Sequence, residues 1–194
     1  MQHVVEIAST VLTPWATFYS TMGESAAALT GLMFVVITIV SGDGSRRRNP
    51  DGVSTFSTPT VVHFSVALLI SGVLCAPWPS VAGPGILLAL TGLGGLGYLT
   101  RVTLLTARLR NYRPDLEDWI FYTILPFVSY IAILGGAIML FHTPRAALFV
   151  LAGSVVLKLF IGIRNAWDVV TFLATGAADS LPDAPNEAAP PPPT

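Results

Sequence analysis

The sequence predicts an all-α integral membrane bundle of five transmembrane helices, with the N-terminus outside and the C-terminus inside. Three observations predict it. Only 11% of the 194 residues are charged and 53% are hydrophobic, whereas a soluble domain carries roughly 25% charged residues. A chain so poor in charge takes lipid as its solvent. Five apolar stretches, at about 17–41, 59–77, 82–105, 119–141 and 146–166, are each long enough to cross a bilayer, which needs about 20 residues of helix. The basic residues sort to one side of the bundle those stretches define.

Each element follows from its local sequence. MQHVVEIASTVLTPW has no positive n-region and no small-residue cleavage site, so the first span is expected to act as an uncleaved insertion signal. Residues 1–13 form an extracytoplasmic segment ahead of a bundle over 14–175. Thr13-Pro14 reads as N-cap and first position of the first helix. GDGSRRRNPDG (42–52) is a charged turn, and APWPSVAGPG (76–85) a short Pro/Gly-rich one. RLRNYRPDLEDW (108–119) is charged, with Pro114 blocking helix continuation. Pro126 is expected to kink the fourth helix, with Gly135-Gly136 a second soft point. FHTPR (141–145) is a tight turn in which Thr143 and Pro144 again read as cap and first position. Residues 176–194, rich in proline and acid, have almost nothing to bury and are expected to be disordered on the cytoplasmic side.

Orientation comes from two unrelated signals. Arg46, Arg47 and Arg48 lie in the first loop and Arg108, Arg110 and Arg113 in the third, while the other side holds only Arg145. The arginine-rich side is cytoplasmic. Trp15 and Trp78 then fall at the outer interface, and Trp119 and Trp167 at the inner one.

The charges within the spans are the candidate functional residues, because an ionisable group in a membrane is costly and seldom idle. Glu24, His63, Arg101 and Lys158 are the intramembrane candidates. Helical spacing places Ser20, Glu24, Ala27, Gly31 and Thr38 on one small, polar face of the first helix, which is expected to point into the bundle. Glu24 has three readings: it orients the helix N-terminus, it handles a proton or cation, or it pairs with Lys158. Arg101 and Lys158 either snorkel to the inner headgroups or join His63 and Arg164 in a cluster, partly balanced by Asp168, that attracts an anionic lipid headgroup or another anion. Ser154, Lys158, Asn165 and Asp168 fall within one arc of the fifth helix. Arg164, Asn165 and Asp168 make an inner-interface polar cluster. Arg164 and Asp168 are four apart and suited to pair, which at an exposed interface is worth about 0–1 kcal/mol.

Other motifs exclude function classes. TGLGGLGYLTR (91–101) contains a formal GxGxxG, but the dinucleotide fingerprint needs a strand before it and a helix after it. Inside a span, Gly94 and Gly97 read as close-packing positions, as do Ala27, Gly31 and Gly136. His3, His63 and His142 are scattered and show no metal-ligand spacing. No Ser/His/Asp set or paired carboxylates share a depth, so neither an enzyme nor a cofactor is expected. The net charge of −1 excludes a broad basic face for nucleic acid. Cys75, the single cysteine, lies in an apolar run and reads as a small packing or lipid-facing residue.

FYSTMGESAAALTGLMFVVITIV (18–40) carries Phe18, Tyr19, Gly23, Ala26, Ala27, Ala28, Leu29, Thr30, Gly31, Leu32, Phe34 and Val35. This pattern resembles the first span of a family of small bacterial integral membrane proteins labelled as modulators of a membrane-anchored AAA+ protease. The resemblance covers about one span in five, and Glu24 and Ser25 stand where that family has further small residues. It implies a bacterial inner-membrane protein with a regulatory role, and carries over no catalytic residue. The expectation is a non-enzymatic interaction or regulatory protein that contacts the bilayer, anionic lipid on the cytoplasmic side, and a membrane partner or further copies of itself. The alternative is an oligomeric ion channel or small transporter lined by the polar faces of helices 1 and 5.

Overall fold

The computed structural model describes the backbone at residues 10–42, 50–107 and 119–178, and side chains at 10–39, 60–104 and 119–171. The arginine-rich loops, Pro114 and the tail from 179 onward lie outside the described residues, as do the expectations attached to them.

All regular structure among the described residues is helical. A 3₁₀ turn at Thr13–Trp15 leads into α1 (Ala16–Gly42). There follow α2 (Pro50–Cys75), α3 (Ala82–Ala107), a π-helical turn at Ile120–Ile124 leading into α4 (Leu125–Met139), and α5 (Pro144–Ala178). Four helical stretches are long and apolar enough to cross a membrane: Thr10–Ile39, Ala82–Leu104, Ile120–Met139 and Pro144–Thr171. The five expected spans therefore resolve as four of spanning length plus α2, whose described apolar part, Thr60–Cys75, is shorter.

Three local expectations change. Thr13 is not a cap, because the chain is already helical at Thr10 and Leu12 holds the cap position without a side-chain bond. Pro14, which lacks an N–H, instead tightens one turn to 3₁₀ geometry. The softening expected at Pro126 takes the form of the π turn, in which the Leu125 N–H donates to the Ile120 carbonyl one residue further back than an α-helix would. The fifth helix opens at Pro144 as its sequence indicates, but runs to Ala178 rather than to about 166. No proline interrupts it before Pro182. Its 35 residues rise about 52 Å at 1.5 Å each, well beyond a hydrocarbon core of about 30 Å.

Neighbouring helices pack in the spatial order α1, α2, α5, α4, α3. Specific contacts make the neighbours antiparallel. On α1 and α2, the Cys75 thiol reaches the Ala16 carbonyl while Gly23 abuts Ser71 and Leu68. On α3 and α4, Gly85 meets Phe141, Gly92 meets Leu134 and Gly95 meets Tyr130. Phe64, Ile70, Ile133, Leu148, Leu151, Val155 and Ile161 are fully buried and fill the interior. Four of the seven lie on α5, which makes it the central helix.

The packing glycines are not the expected ones. A Cβ at Gly31, Gly94 or Gly97 would meet nothing within 4 Å, and Ala27 is exposed. Within this chain the close approaches are made by Gly23 and Ala26 on α1 and by Gly85, Gly92 and Gly95 on α3. One residue along a helix is a rotation of about 100°, so a neighbouring glycine faces elsewhere. Gly136 does pack: a Cβ there would stand 2.8 Å from Leu151 Cγ.

Candidate functional site

The interior holds a polar centre built by four helices. α5 supplies Lys158, which is fully buried. Its Nζ lies 3.3 Å from Nδ1 of His63 on α2 and 3.1 Å from the ring centroid of Tyr130 on α4. The first contact is a hydrogen bond with two arrangements: an ammonium donating to unprotonated Nδ1, or an Nδ1–H donating to a neutral amine. The second places the nitrogen over the negative face of the phenol ring, which favours a cation. α3 contributes by what it lacks. A Cβ at Gly95 would overlap the Tyr130 ring, so glycine there lets the ring lie flat on the α3 backbone.

The pairing overturns the snorkelling reading of Lys158. Its amine turns into the protein, where a hydrogen-bond partner and an aromatic face replace the distant headgroups. Lys158 is also the only lysine in the chain, the other nine basic residues being arginine. Arginine stays charged in proteins, whereas a buried lysine can shed its proton. The long basic side chain buried in the core is thus of the type that can be neutral.

Asn165 lies on the same face of α5, two turns further on, and is fully buried. Neither its Oδ1 nor its Nδ2 has a protein partner. Ser71 Oγ is likewise buried and unpartnered, at the α1–α2 contact with Gly23. Two other buried hydroxyls are satisfied within their own helices, Ser129 by the Pro126 carbonyl and Ser154 by that of Leu151.

The remaining candidates fall elsewhere. Glu24 is exposed on the outer wall of α1 and accepts a hydrogen bond from Ser20 at 3.0 Å. Ser20, Ala27, Gly31 and Thr38 are exposed with it. The face expected to point inward therefore points outward, while Tyr19, Gly23, Ala26 and Met33 make the inward face. No Glu24–Lys158 pair forms, because one group faces away from the bundle and the other lies in its core. Arg101 is exposed on α3. Arg164 pairs with Asp168 and sits 5.5 Å over the Phe121 ring, and the Tyr122 hydroxyl donates to Asp168 at 3.5 Å. The expected cluster of His63, Arg101, Lys158 and Arg164 is thus split: His63 joins Lys158, Arg164 joins Asp168, and Arg101 joins neither. Asn165 belongs with the core and not with Arg164 and Asp168. Among the described residues no group of His, Cys, Asp or Glu is placed to hold a metal ion.

At the opposite end from Arg164, aromatic rings tie α1 to α5. Trp15 meets Phe149 edge-on at 4.6 Å, and the Tyr19 hydroxyl donates to the Leu148 carbonyl at 2.8 Å. Trp78 donates to the Val73 carbonyl at 2.6 Å in the α2–α3 turn. Trp119 and Trp167 are exposed towards the other end.

No protein-family model, curated protein or solved structure matches this chain.

Tyr130 and Gly95 are site residues that sequence reasoning missed. A signal did exist. Gly92 and Gly95 are three apart on α3, and Leu134 and Tyr130 are four apart on α4. An antiparallel pairing of the two helices sets each glycine against one bulky side chain.

Proposed function

We propose that this chain is a non-enzymatic interaction and regulatory protein of the bacterial inner membrane, N-terminus outside and C-terminus inside, acting by helix packing against a membrane partner. The observation that carries this reading is the outward turn of the Ser20, Glu24, Ala27, Gly31 and Thr38 face of α1. Small residues leave a shallow channel into which a second helix fits closely, and polar groups in lipid are best satisfied across such a contact. A carboxylate on that face suits a partner helix that brings a basic or hydroxyl side chain to the same depth. The occupant is therefore a transmembrane helix of another membrane protein. The orientation is supported by the arginine-rich loops and by the tryptophans at both ends. The likeness of residues 18–40 to the protease-modulator family supports regulation as the outcome. In this reading the loops and the tail at 177–194 present the cytoplasmic surfaces. A channel lined jointly by α1 and α5 has less support, since the polar face of α5 is enclosed within one chain.

Recovery of the tagged protein from native membranes in mild detergent tests the proposal. The wild type is expected to bring down a membrane protein in stoichiometric amount. Ala27→Leu and Gly31→Leu, which fill the channel without touching the bundle core, are expected to reduce that recovery about tenfold. Undiminished recovery by both variants overturns the proposal. So does a homo-oligomer with no partner, which would favour conduction and direct attention to Glu24→Gln in liposomes.

A further inference from the structure

We infer that Lys158 and His63 form a protonation site in the core of the bundle, reached from the C-terminal end of α5 by water held at Asn165. This goes beyond the interaction role and does not depend on it.

Three observations lead there. Lys158 and His63 are two bases in direct contact, buried together, 3.3 Å apart. Asn165 offers an unpartnered donor and an unpartnered acceptor in the interior. A buried amide left so is costly, and ordered water is the usual partner where protein supplies none. Seven residues along one helix face is about 10.5 Å; Ile161 and the Phe64 ring against Gly162 line that stretch, and two or three hydrogen-bonded waters span it when the ring swings aside. Asn165 lies on the side of Lys158 nearer the end of the long helix.

Among the described residues the surroundings hold no fixed counter-charge. α2 presents His63 to Lys158, and α4 presents Tyr130. α3 presents the backbone at Gly95 and, three residues on, carries the exposed Tyr98. α1 contributes no titratable group at this level, as Tyr19 meets α5 at Leu148. Among the residues whose side chains are described, the carboxylates are Glu24, on the outer wall, and Asp168, paired with Arg164. A proton at this site is shared by two nitrogens and a ring face.

The step is a simple transfer. Hydronium at the Asn165 water gives up one O–H bond, the proton passes along the water chain, and an N–H bond forms at the Lys158 amine, leaving water behind. The proton can then move to unprotonated His63 Nδ1, one N–H bond breaking as the other forms. The charge is conserved, and no other reactant enters.

Because Lys158 is the only lysine, labelling with ¹⁵N-lysine gives a single side-chain signal from the full-length protein in lipid nanodiscs. The Nζ signal is expected to move with pH as the amine gains and loses its proton. Exchange of its protons with solvent is expected to slow at least about tenfold in Asn165→Leu, which removes the polar foothold for water. The variant's α-helical circular dichroism reports that the bundle is intact. Asn165→Gln, which keeps the amide, is expected to restore exchange and guards against a mere packing effect. An Nζ signal that does not move with pH overturns the inference, as does equal exchange in the wild type and Asn165→Leu.

Discussion

His63→Leu is expected to lower the stability of the folded bundle by about 3 kcal/mol, because it strands the Lys158 amine in the core without its hydrogen-bond partner. Leucine fills most of the space left by the imidazole, so a cavity accounts for little of the loss. The companion change Lys158→Met removes the stranded group while keeping an unbranched chain of similar length. The double variant is therefore expected to recover to within about 1 kcal/mol of the wild type. Denaturation by sodium dodecyl sulfate in mixed micelles, followed by circular dichroism, measures all four members of the cycle. Strict additivity of the two single changes would refute the pairing.

The second large effect belongs to Gly95. Gly95→Leu drives a side chain into the Tyr130 ring, and the ring cannot retreat without leaving Lys158. Overpacking of a filled interior costs about 1–3 kcal/mol, and the lost contact between the lysine nitrogen and the ring adds about 1–2 kcal/mol for a desolvated pair. Gly95→Leu combined with Tyr130→Ala is expected to regain the packing share alone. Gly94→Ala and Gly97→Ala are the controls. Both positions are open, so alanine is expected to be neutral or to stabilise by up to about 1 kcal/mol through helix propensity. The same denaturation assay ranks the four variants.

These expectations show which parts of the molecule were legible in the sequence. Helix number and approximate position followed from hydropathy, since lipid tolerates only backbone that satisfies its own hydrogen bonds. The identity of the inward faces did not. In water a polar face turns outward and an apolar one inward, but in a bilayer both interior and surroundings are apolar. Helical spacing therefore grouped Ser20, Glu24, Ala27, Gly31 and Thr38 correctly and still gave no sign of which way the group faces. The singular position of Lys158 was visible as a charge within a span. Its partner was not, because His63 lies 95 residues away and no local pattern links them. The polar arc of α5 was half legible. Ser154, Lys158 and Asn165 are buried together, while Asp168 turns aside to Arg164.

The central position of α5 bears on the order in which the molecule is built. Of the five described helices α5 emerges last during synthesis, yet it carries the Lys158 amine, the Leu148 carbonyl that receives Tyr19, and the surface that receives Phe64 and Gly136. Until it arrives, α2 and α4, which flank it in the finished bundle, have lipid between them in place of their common neighbour. His63 then waits in the bilayer with no base to share a proton. Assembly of the interior is in this sense a closing event, made when the final segment slides between helices already inserted. A chain stopped before Pro144 keeps four of the five described helices and lacks the one that joins them, leaving the His63 imidazole and the Phe64 ring without their covering neighbour.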